Sequence, residues 1–183
     1  MSVDVERVAA ATRDLLSALG ENPDREGLVD TPHRVANLWK EFLDHYPGKL
    51  STAFRAEGTD QLVVVGGLKA WSFCEHHLLP FTVSVTVGYI AHDKILGLSK
   101  FGRIVEKYAR RLQVQERLTE QIATSVAELT DSLDVAVLAR GEHLCMTMRG
   151  VRKAAQMTTS VMLGKFRERP EARAEFLALA RGQ

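Results

Sequence analysis

The sequence contains few cysteines and prolines and carries almost no net charge. Its 183 residues include 2 cysteines, 5 prolines and 2 tryptophans, and the formal net charge is +1. Two cysteines are too few for a disulfide framework or for a closed site of four thiolates. A nearly neutral chain lacks a general basic field, so we expect no nucleic-acid partner. The two thiols instead suit metal binding or catalysis in a reducing compartment.

Long hydrophobic runs are also missing. No stretch approaches the roughly 20 apolar residues that a membrane-spanning helix needs. Residues 1–6 have neither the basic nor the apolar region of a secretory signal, so we expect a cytoplasmic protein with no membrane partner. With 45% hydrophobic and 26% charged residues, the composition is typical of a globular domain with a sizeable core.

Both cysteines lie beside histidines, in residues 74–77 (Cys-Glu-His-His) and 143–145 (His-Leu-Cys). Cys74, His77 and Cys145 together offer two thiolates and one imidazole, which are donors that zinc prefers. Three protein ligands leave the fourth tetrahedral position for water or substrate, as in catalytic zinc sites. The sequence therefore favours an open, catalytic metal ion.

Two alternatives to an open site remain at this point. His76, His143 or a carboxylate could fill the fourth position, or the cysteines could be small core residues that bind nothing. We predict a strand over residues 143–149, in which His143 and Cys145 lie on the same face. Such alternation of ligand-type residues favours a shared site over chance placement.

Hydrophobic periodicity predicts helices at both ends of the chain and a mixture of strands and helices between them. The predicted helices cover residues 5–19, 31–43, 101–108 and 114–129 and a last helix from 170, and the predicted strands cover 62–65, 83–89, 133–148 and 151–163. Runs of strands and runs of helices favour an α+β fold with an antiparallel sheet. We interpret residues 1–60 as an N-terminal helical arm and residues 61–183 as one catalytic domain.

A cluster of cations opens the predicted helix at residue 101. Lys100 and Arg103 fall near its first turn, where the helix dipole is already positive. A phosphate there would resolve the conflict, with Ser99 and free backbone amides as further donors, and Arg149 could converge on the same anion. The alternative, in which both side chains extend into solvent, is equally compatible with the sequence.

Glu116 opens the next predicted helix. A carboxylate is favoured at a helix N-terminus whether or not it has a function. It can also accept two parallel hydrogen bonds from the N–H and amino group that guanine presents. Guanine recognition is therefore a second interpretation of Glu116.

Four segments of the chain occur in a recognisable order, namely residues 74–81, 97–100, 111–119 and 143–151. Together they resemble GTP cyclohydrolase I, and the resemblance runs from about residue 21 to the C-terminus. It implies the tunnelling fold (T-fold), an antiparallel four-stranded sheet with two helices on one face, preceded by the helical arm. It also implies a homodecamer with active sites between subunits.

The resemblance further implies zinc-dependent hydrolysis of GTP at guanine C8, release of formate, and rearrangement to 7,8-dihydroneopterin triphosphate at the start of folate, tetrahydrofolate and pterin biosynthesis. It implies Zn²⁺ on Cys74, His77 and Cys145, with His143 as the acid at the imidazole ring and His76 in later proton transfers. The implied substrate ligands are Ser99, Lys100, Arg103 and Arg149 for the triphosphate, Gln115 and Glu116 for guanine, and Glu75.

Some positions depart from the family pattern, among them Val83, Ser84, Thr86 and residues 154–160. They leave open a divergent T-fold paralogue that acts on a related purine or pterin, by stopping at ring opening or by using Cys74 as a nucleophile. A binding or regulatory module is a third alternative, and it would hold a structural metal with four protein ligands.

Overall fold

The computed structural model describes residues 2–51, 53–56 and 60–182. The chain divides into two compact units, Met1–Tyr46 and Pro47–Gln183. The arm predicted for residues 1–60 extends past the first unit, and its boundary at residue 60 stays a prediction.

The described elements follow one another as helices, then strands and helices in a mixed order. The helices are α1 (Val5–Ala18), α2 (Thr31–Leu43), α3 (Leu98–Ala109), α4 (Gln115–Thr130), α5 (Leu144–Thr147), α6 (Lys165–Glu168) and α7 (Pro170–Leu179), followed by a 3₁₀ turn at Ala180–Gly182. The strands are β1 (Ala53–Arg55), β2 (Gln61–Cys74), β3 (Pro80–Ala91), β4 (Lys94–Leu96), β5 (Leu112–Gln113), β6 (Val135–His143) and β7 (Gln156–Met162). Among these described helices, none combines the length and the apolar character needed to cross a bilayer.

The first unit consists of α1 and α2 packed together, which confirms the two helices predicted there. The Asp4 side chain caps α1 by accepting a hydrogen bond from the Arg7 amide at 3.1 Å. Pro32 lies in the first turn of α2, where its missing N–H removes no helical hydrogen bond. Small buried residues, including Ala9 and Ala36, allow the two helices to approach.

A sheet in the order β5-β2-β3-β6-β7 organises the second unit. The pairs β2–β3, β3–β6 and β6–β7 are antiparallel, which confirms the predicted four-stranded antiparallel sheet. The short β5 adds a parallel edge next to β2, and β1 pairs with β4 in a separate ribbon. The α+β class is therefore confirmed, with β5 as an addition to the predicted sheet.

Two helices cover one face of this sheet, as predicted. α3 packs over β2, and α4 packs over β6 and β7. The residues of β3 that face these helices are fully buried, among them Val83, Val85 and Val87, and they alternate with residues on the other face. Burial of this apolar stripe supplies the main hydrophobic stabilisation of the unit.

The opposite face carries a second, smaller core that the sequence did not predict. Phe176 of α7 and Phe166 of α6 pack edge to face, with ring centroids 5.7 Å apart, against Ile90 and Leu138. Gly88 of β3 provides the space for Phe176, because a Cβ there would lie 2.6 Å from the ring. The C-terminal helices are thus anchored on the sheet by two aromatic rings, and Gly88 makes room for one of them.

The strand predicted over residues 143–149 is wrong beyond its first residue. β6 ends at His143, and the chain continues as the short helix α5. The reason is that both neighbouring strands stop at this level of the sheet. β3 begins at Pro80, with Phe81 opposite His143, and β7 begins opposite Glu142. Past His143 the backbone has no strand to pair with, so it turns and satisfies its hydrogen bonds locally.

Replacing Gly88 with alanine tests the packing of the C-terminal helices. We expect Gly88→Ala to lower the free energy of unfolding by about 1–3 kcal/mol, because the fully buried Phe176 ring must shift. Urea unfolding followed by circular dichroism measures the change. Gly102→Ala is the control, since a Cβ there meets nothing within 4 Å and should stabilise α3 by up to about 1 kcal/mol. Equal stability of the two variants would contradict the packing role of Gly88.

Candidate active site

The register of the sheet brings the two cysteine segments to the same end of the molecule. β2 ends at Cys74, and its Phe73 pairs with Pro80 at the start of β3. Phe81 of β3 in turn pairs with His143 at the end of β6. Two segments that are distant in sequence therefore emerge at the same end of the sheet, from the two strands that flank β3.

Cys74, His77 and Cys145 form a cluster at this end of the sheet. Their ligand atoms all lie within 4.8 Å of one another, and the Cys74 Sγ and His77 Nδ1 atoms are 3.8 Å apart. Cys74 is buried, His77 is exposed and Cys145 is half-buried. The structure thus brings together the three residues that the sequence predicted as metal ligands.

A tight turn between β2 and β3 presents His77 to Cys74. The backbone amides of His77 and Leu78 both donate to the Cys74 carbonyl, at 3.3 and 2.8 Å, and the Cys74 amide donates to Leu79. Leu78 has a φ of 53°, a left-handed conformation that is unfavourable for a residue with a side chain. The hairpin therefore holds a strained residue directly after its histidine.

The donors of this cluster fit a tetrahedral zinc ion. With Zn–S bonds of about 2.3 Å and Zn–N bonds of about 2.0 Å, the donor atoms of a zinc site lie roughly 3.5–3.8 Å apart. The Cys74–His77 distance of 3.8 Å meets this requirement, and the cluster as a whole, within 4.8 Å, would need only a small contraction. Burial raises the pKa of the Cys145 thiol, and the nearby Cys74 raises it further. Two thiols this close resist joint ionisation, and a bound cation would offset that repulsion. Geometry and chemistry both suit a divalent ion with thiolate ligands.

His76 lies in the same turn but is not one of the three clustered ligands. Its Nδ1 atom is 3.9 Å from the Cys74 sulfur, and its ring meets that of His77 edge to face with centroids 6.3 Å apart. His76 is exposed. Its imidazole is therefore accessible to a molecule that approaches the cluster.

His143 is held against the sheet by two neighbours. Its ring stacks on Phe81, with centroids 4.4 Å apart and planes 11° from parallel, and its Nε2 atom lies 3.0 Å from Gln115 Oε1. Burial lowers the pKa of His143, while the nearby Glu116 carboxylate opposes this effect. The side chain of Gln115 is only 1% exposed, whereas that of Glu116 is exposed.

Glu75 forms an ion pair that the sequence did not indicate. Its two carboxylate oxygens accept hydrogen bonds from the Arg117 guanidinium at 2.6 and 2.9 Å, which lowers the pKa of Glu75. The Glu75 amide also donates to the Gln113 carbonyl at 3.0 Å. Arg117 therefore ties the turn at residues 75–78 to α4. In the sequence, the only indication of this role was that Arg117 directly follows Glu116, a candidate site residue.

Two of the predicted anion ligands at the start of α3, Lys100 and Arg103, contact the same backbone carbonyl group. Lys100 Nζ and Arg103 Nη1 both donate to the Lys49 carbonyl, at 2.9 and 3.0 Å. Lys100 is buried, and burial lowers its pKa, with Arg103 and Lys49 as further causes. Lys49 is a third cation in this cluster that the sequence analysis missed. Ser99 is exposed in the same helical turn.

This cation cluster and the three clustered ligands lie at opposite ends of α3. Phe101, at the start of the helix, packs against Tyr89 near the end of β3, whereas β5 follows the helix and pairs with Phe73 and Cys74. Lys100 and the end of α3 are separated by about 13 Å at the usual rise per residue. Arg149, by contrast, lies near enough to Cys145 to influence the pKa of its thiol. A single chain thus brings the three clustered ligands and Arg149 to one end of α3, whereas Ser99, Lys100 and Arg103 lie at the other end.

The matching family model and the most similar curated relatives agree on one family. The family model described as GTP cyclohydrolase I matches residues 8–181 of the chain. A relative named GTP cyclohydrolase 1 from Alkalilimnicola ehrlichii is 50% identical over 181 residues, which cover 96% of this chain and 98% of the relative. The relative of that name from Homo sapiens is 47% identical over 184 residues, which cover 98% of this chain and 74% of the relative. The matched residues include all the candidate site residues.

Metal binding can be tested separately from any reaction. We expect the chain to bind one Co²⁺ ion, with a thiolate-to-cobalt absorption band. Loss of a residue that only supports a metal ligand weakens metal binding roughly 10–100-fold, and we expect Cys145→Ala to weaken it by more than this. Spectroscopic titration measures the affinity. His76→Ala is the matched control, because it removes an imidazole from the same turn while leaving the three ligands in place. Undiminished binding by Cys145→Ala, or loss of binding in His76→Ala, would refute the ligand assignment.

Proposed function

Since the chain belongs to the GTP cyclohydrolase I family, we propose that the end of the sheet around Cys74, His77 and Cys145 is its active site. The reaction is the hydrolysis of GTP to 7,8-dihydroneopterin triphosphate, in the biosynthesis of pterins and folates. Guanine C8 leaves as formate in this conversion. The observation that carries the proposal is the cluster of three ligand side chains close to His143.

We propose Zn²⁺ as the metal of this site. Cys74, His77 and Cys145 would hold it, since thiolate and imidazole are its preferred protein donors. When bound, Zn²⁺ would lower the pKa of a coordinated water to near neutrality, so that a hydroxide nucleophile for C8 would be available at neutral pH. Both oxygens of Glu75 are engaged by Arg117, which argues against this carboxylate as a fourth ligand.

Proton transfer at the purine ring is assigned to His143. Addition of water across the C8–N7 bond requires a proton at N7, and an imidazole can accept a proton and deliver it there. The stacking on Phe81 and the contact with Gln115 support this role, because they orient the ring. His76, exposed beside the cluster, is assigned the later proton transfers during ring opening and ribose rearrangement.

Guanine recognition is assigned to Glu116. Its exposed carboxylate lies close enough to His143 to influence the pKa of that residue, and it can accept from the N–H and the amino group of guanine together. Glu75 and Gln115 stay predicted substrate ligands. The side chains of both are already engaged within the chain, Glu75 by Arg117 and Gln115 by His143.

Ser99, Lys100 and Arg103 are proposed to bind the triphosphate of a substrate whose guanine lies at the metal cluster of a second copy of the chain. The length of α3, which separates the cation cluster from the metal cluster, supports a site built from two copies of the chain. Arg149, near Cys145, would add a cation from the copy that holds the metal. Activity would then require a homo-oligomer, and we propose a decamer because the family resemblance implies one. Free thiols in the active site favour a cytoplasmic location.

Activity and the role of His143 are tested with GTP on the zinc-loaded protein. We expect equimolar formate and neopterin phosphate, detected by the fluorescence of the oxidised product. His143→Ala should retain zinc and GTP binding but lose roughly 10²–10⁴-fold in kcat, the usual contribution of a proton-transfer residue. His45→Ala, an exposed histidine without an assigned role, is the control. Normal turnover by His143→Ala would refute its role, and formate without neopterin would indicate a divergent reaction.

Triphosphate binding is tested at Lys100. We expect Lys100→Ala to raise KM for GTP by roughly 10–100-fold, since a hydrogen bond to a charged group contributes about 1.5–3 kcal/mol. Lys107→Ala, which removes an exposed lysine from the same helix, should leave KM unchanged.

Mixed oligomers test whether the site is shared between copies. Chains carrying Lys100→Ala and chains carrying Cys145→Ala should regain activity when they are unfolded and refolded together, because some sites then receive both intact halves. Activity that stays at the level of the separate variants would contradict a site between subunits.

A further inference from the structure

The side chain of Gln115 is buried between α4 and the sheet, and every polar atom of its amide has a partner. Its Nε2 atom lies 3.1 Å from the Ala139 carbonyl, 3.1 Å from the Met157 carbonyl and 3.2 Å from Thr159 Oγ1. Its Oε1 atom lies 3.0 Å from His143 Nε2. The amide thus bridges strands β6 and β7 to the imidazole of His143.

These partners determine which way the amide points. Backbone carbonyl oxygens can only accept hydrogen bonds, so the NH₂ group must face Ala139 and Met157. A reversed amide would place its oxygen against two carbonyl oxygens in a buried environment, where unpaired polar groups are costly. The oxygen of Gln115 therefore faces His143, and an amide oxygen can only accept.

The hydrogen of the neutral His143 ring must then lie on Nε2, which leaves the lone pair on Nδ1. We propose that Gln115 is a positioning residue that holds His143 in this tautomer and orientation, so that Nδ1 is the atom that exchanges a proton with the substrate. The inference rests on the proposed role of His143 in the hydrolysis of GTP. It assigns Gln115 to the histidine and not to the guanine.

The surroundings of Gln115 keep the amide in place. A Cβ at Gly141 would lie 2.2 Å from Gln115 Oε1 and 2.9 Å from the Thr82 carbonyl, so only glycine leaves room there. Thr119 Oγ1 donates to the Gln115 carbonyl at 2.7 Å and lies 2.6 Å from Thr159 Oγ1. Phe81 fixes the plane of the imidazole from the other side. The bridge is therefore rigid at both of its ends.

The tautomer can be measured directly on the wild-type protein. Solid-state ¹⁵N NMR of zinc-loaded protein labelled at histidine distinguishes a nitrogen that carries hydrogen from one that does not, and the His143→Ala spectrum assigns the signal. We expect hydrogen on Nε2 of His143. A wild-type ring with its hydrogen on Nδ1 overturns the inference even if GTP hydrolysis proceeds as proposed, so the two can fail separately.

A variant of Gln115 tests the consequence for catalysis. Gln115→Met keeps the length of the side chain but removes the acceptor, and we expect roughly a 10–100-fold loss in kcat, a mixture of His143 tautomers, and unchanged KM and zinc content.

Gln121→Met is the matched control, because it alters a glutamine of the same helix that bonds Gln113 instead of His143. It should change neither kcat nor the tautomer. A rise in KM for Gln115→Met with unchanged kcat and tautomer would show that Gln115 is a substrate ligand and would overturn the positioning role.

Discussion

The antiparallel register of β3 with its two neighbours is the constraint on which the site depends. Phe73 pairs with Pro80 on one side of β3, and His143 pairs with Phe81 on the other. A shift of one residue would turn each side chain to the opposite face of the sheet and separate the cysteines. The alternating apolar residues of β3 hold this register, because slippage would expose them to water. Hydrophobic packing along the whole strand thus holds the three candidate metal ligands together.

Two polar side chains of α4, the buried Gln115 and the exposed Arg117, connect this sheet to the residues of the proposed site. Gln115 connects β6 and β7 to His143, and Arg117 connects α4 to Glu75 in the turn after Cys74. Both contacts begin in the first turn of α4, which packs over the sheet. The helix therefore supports both halves of the proposed active site, because it contributes the hydrogen-bonded neighbours of His143 and Glu75. The proposed catalytic histidine and the candidate metal ligands therefore share one rigid base.

Much of the fold was accessible from the sequence, because it follows from local periodicity. The helix predicted at 101–108 and the strand at 83–89 lie within the observed α3 and β3, and the helix predicted at 114–129 matches α4 to within one residue at each end. The strand at 143–149 failed since alternation of residue types cannot reveal where a neighbouring strand stops. The packing of Phe176 on Gly88 was equally hidden, because it joins elements far apart in the chain.

The sequence by itself determined the chemistry of the site: two thiols and nearby imidazoles limit the metal and its ligand number, and the order of the motifs identifies the family. Only the tertiary structure decided how these groups are used. It paired Glu75 with Arg117, buried the amide of Gln115 against His143, and put the cations of α3 about a helix length from the metal ligands. The physical reason is that donor type belongs to a residue, whereas distance, burial and hydrogen-bond direction arise from contacts between segments that sequence spacing does not encode.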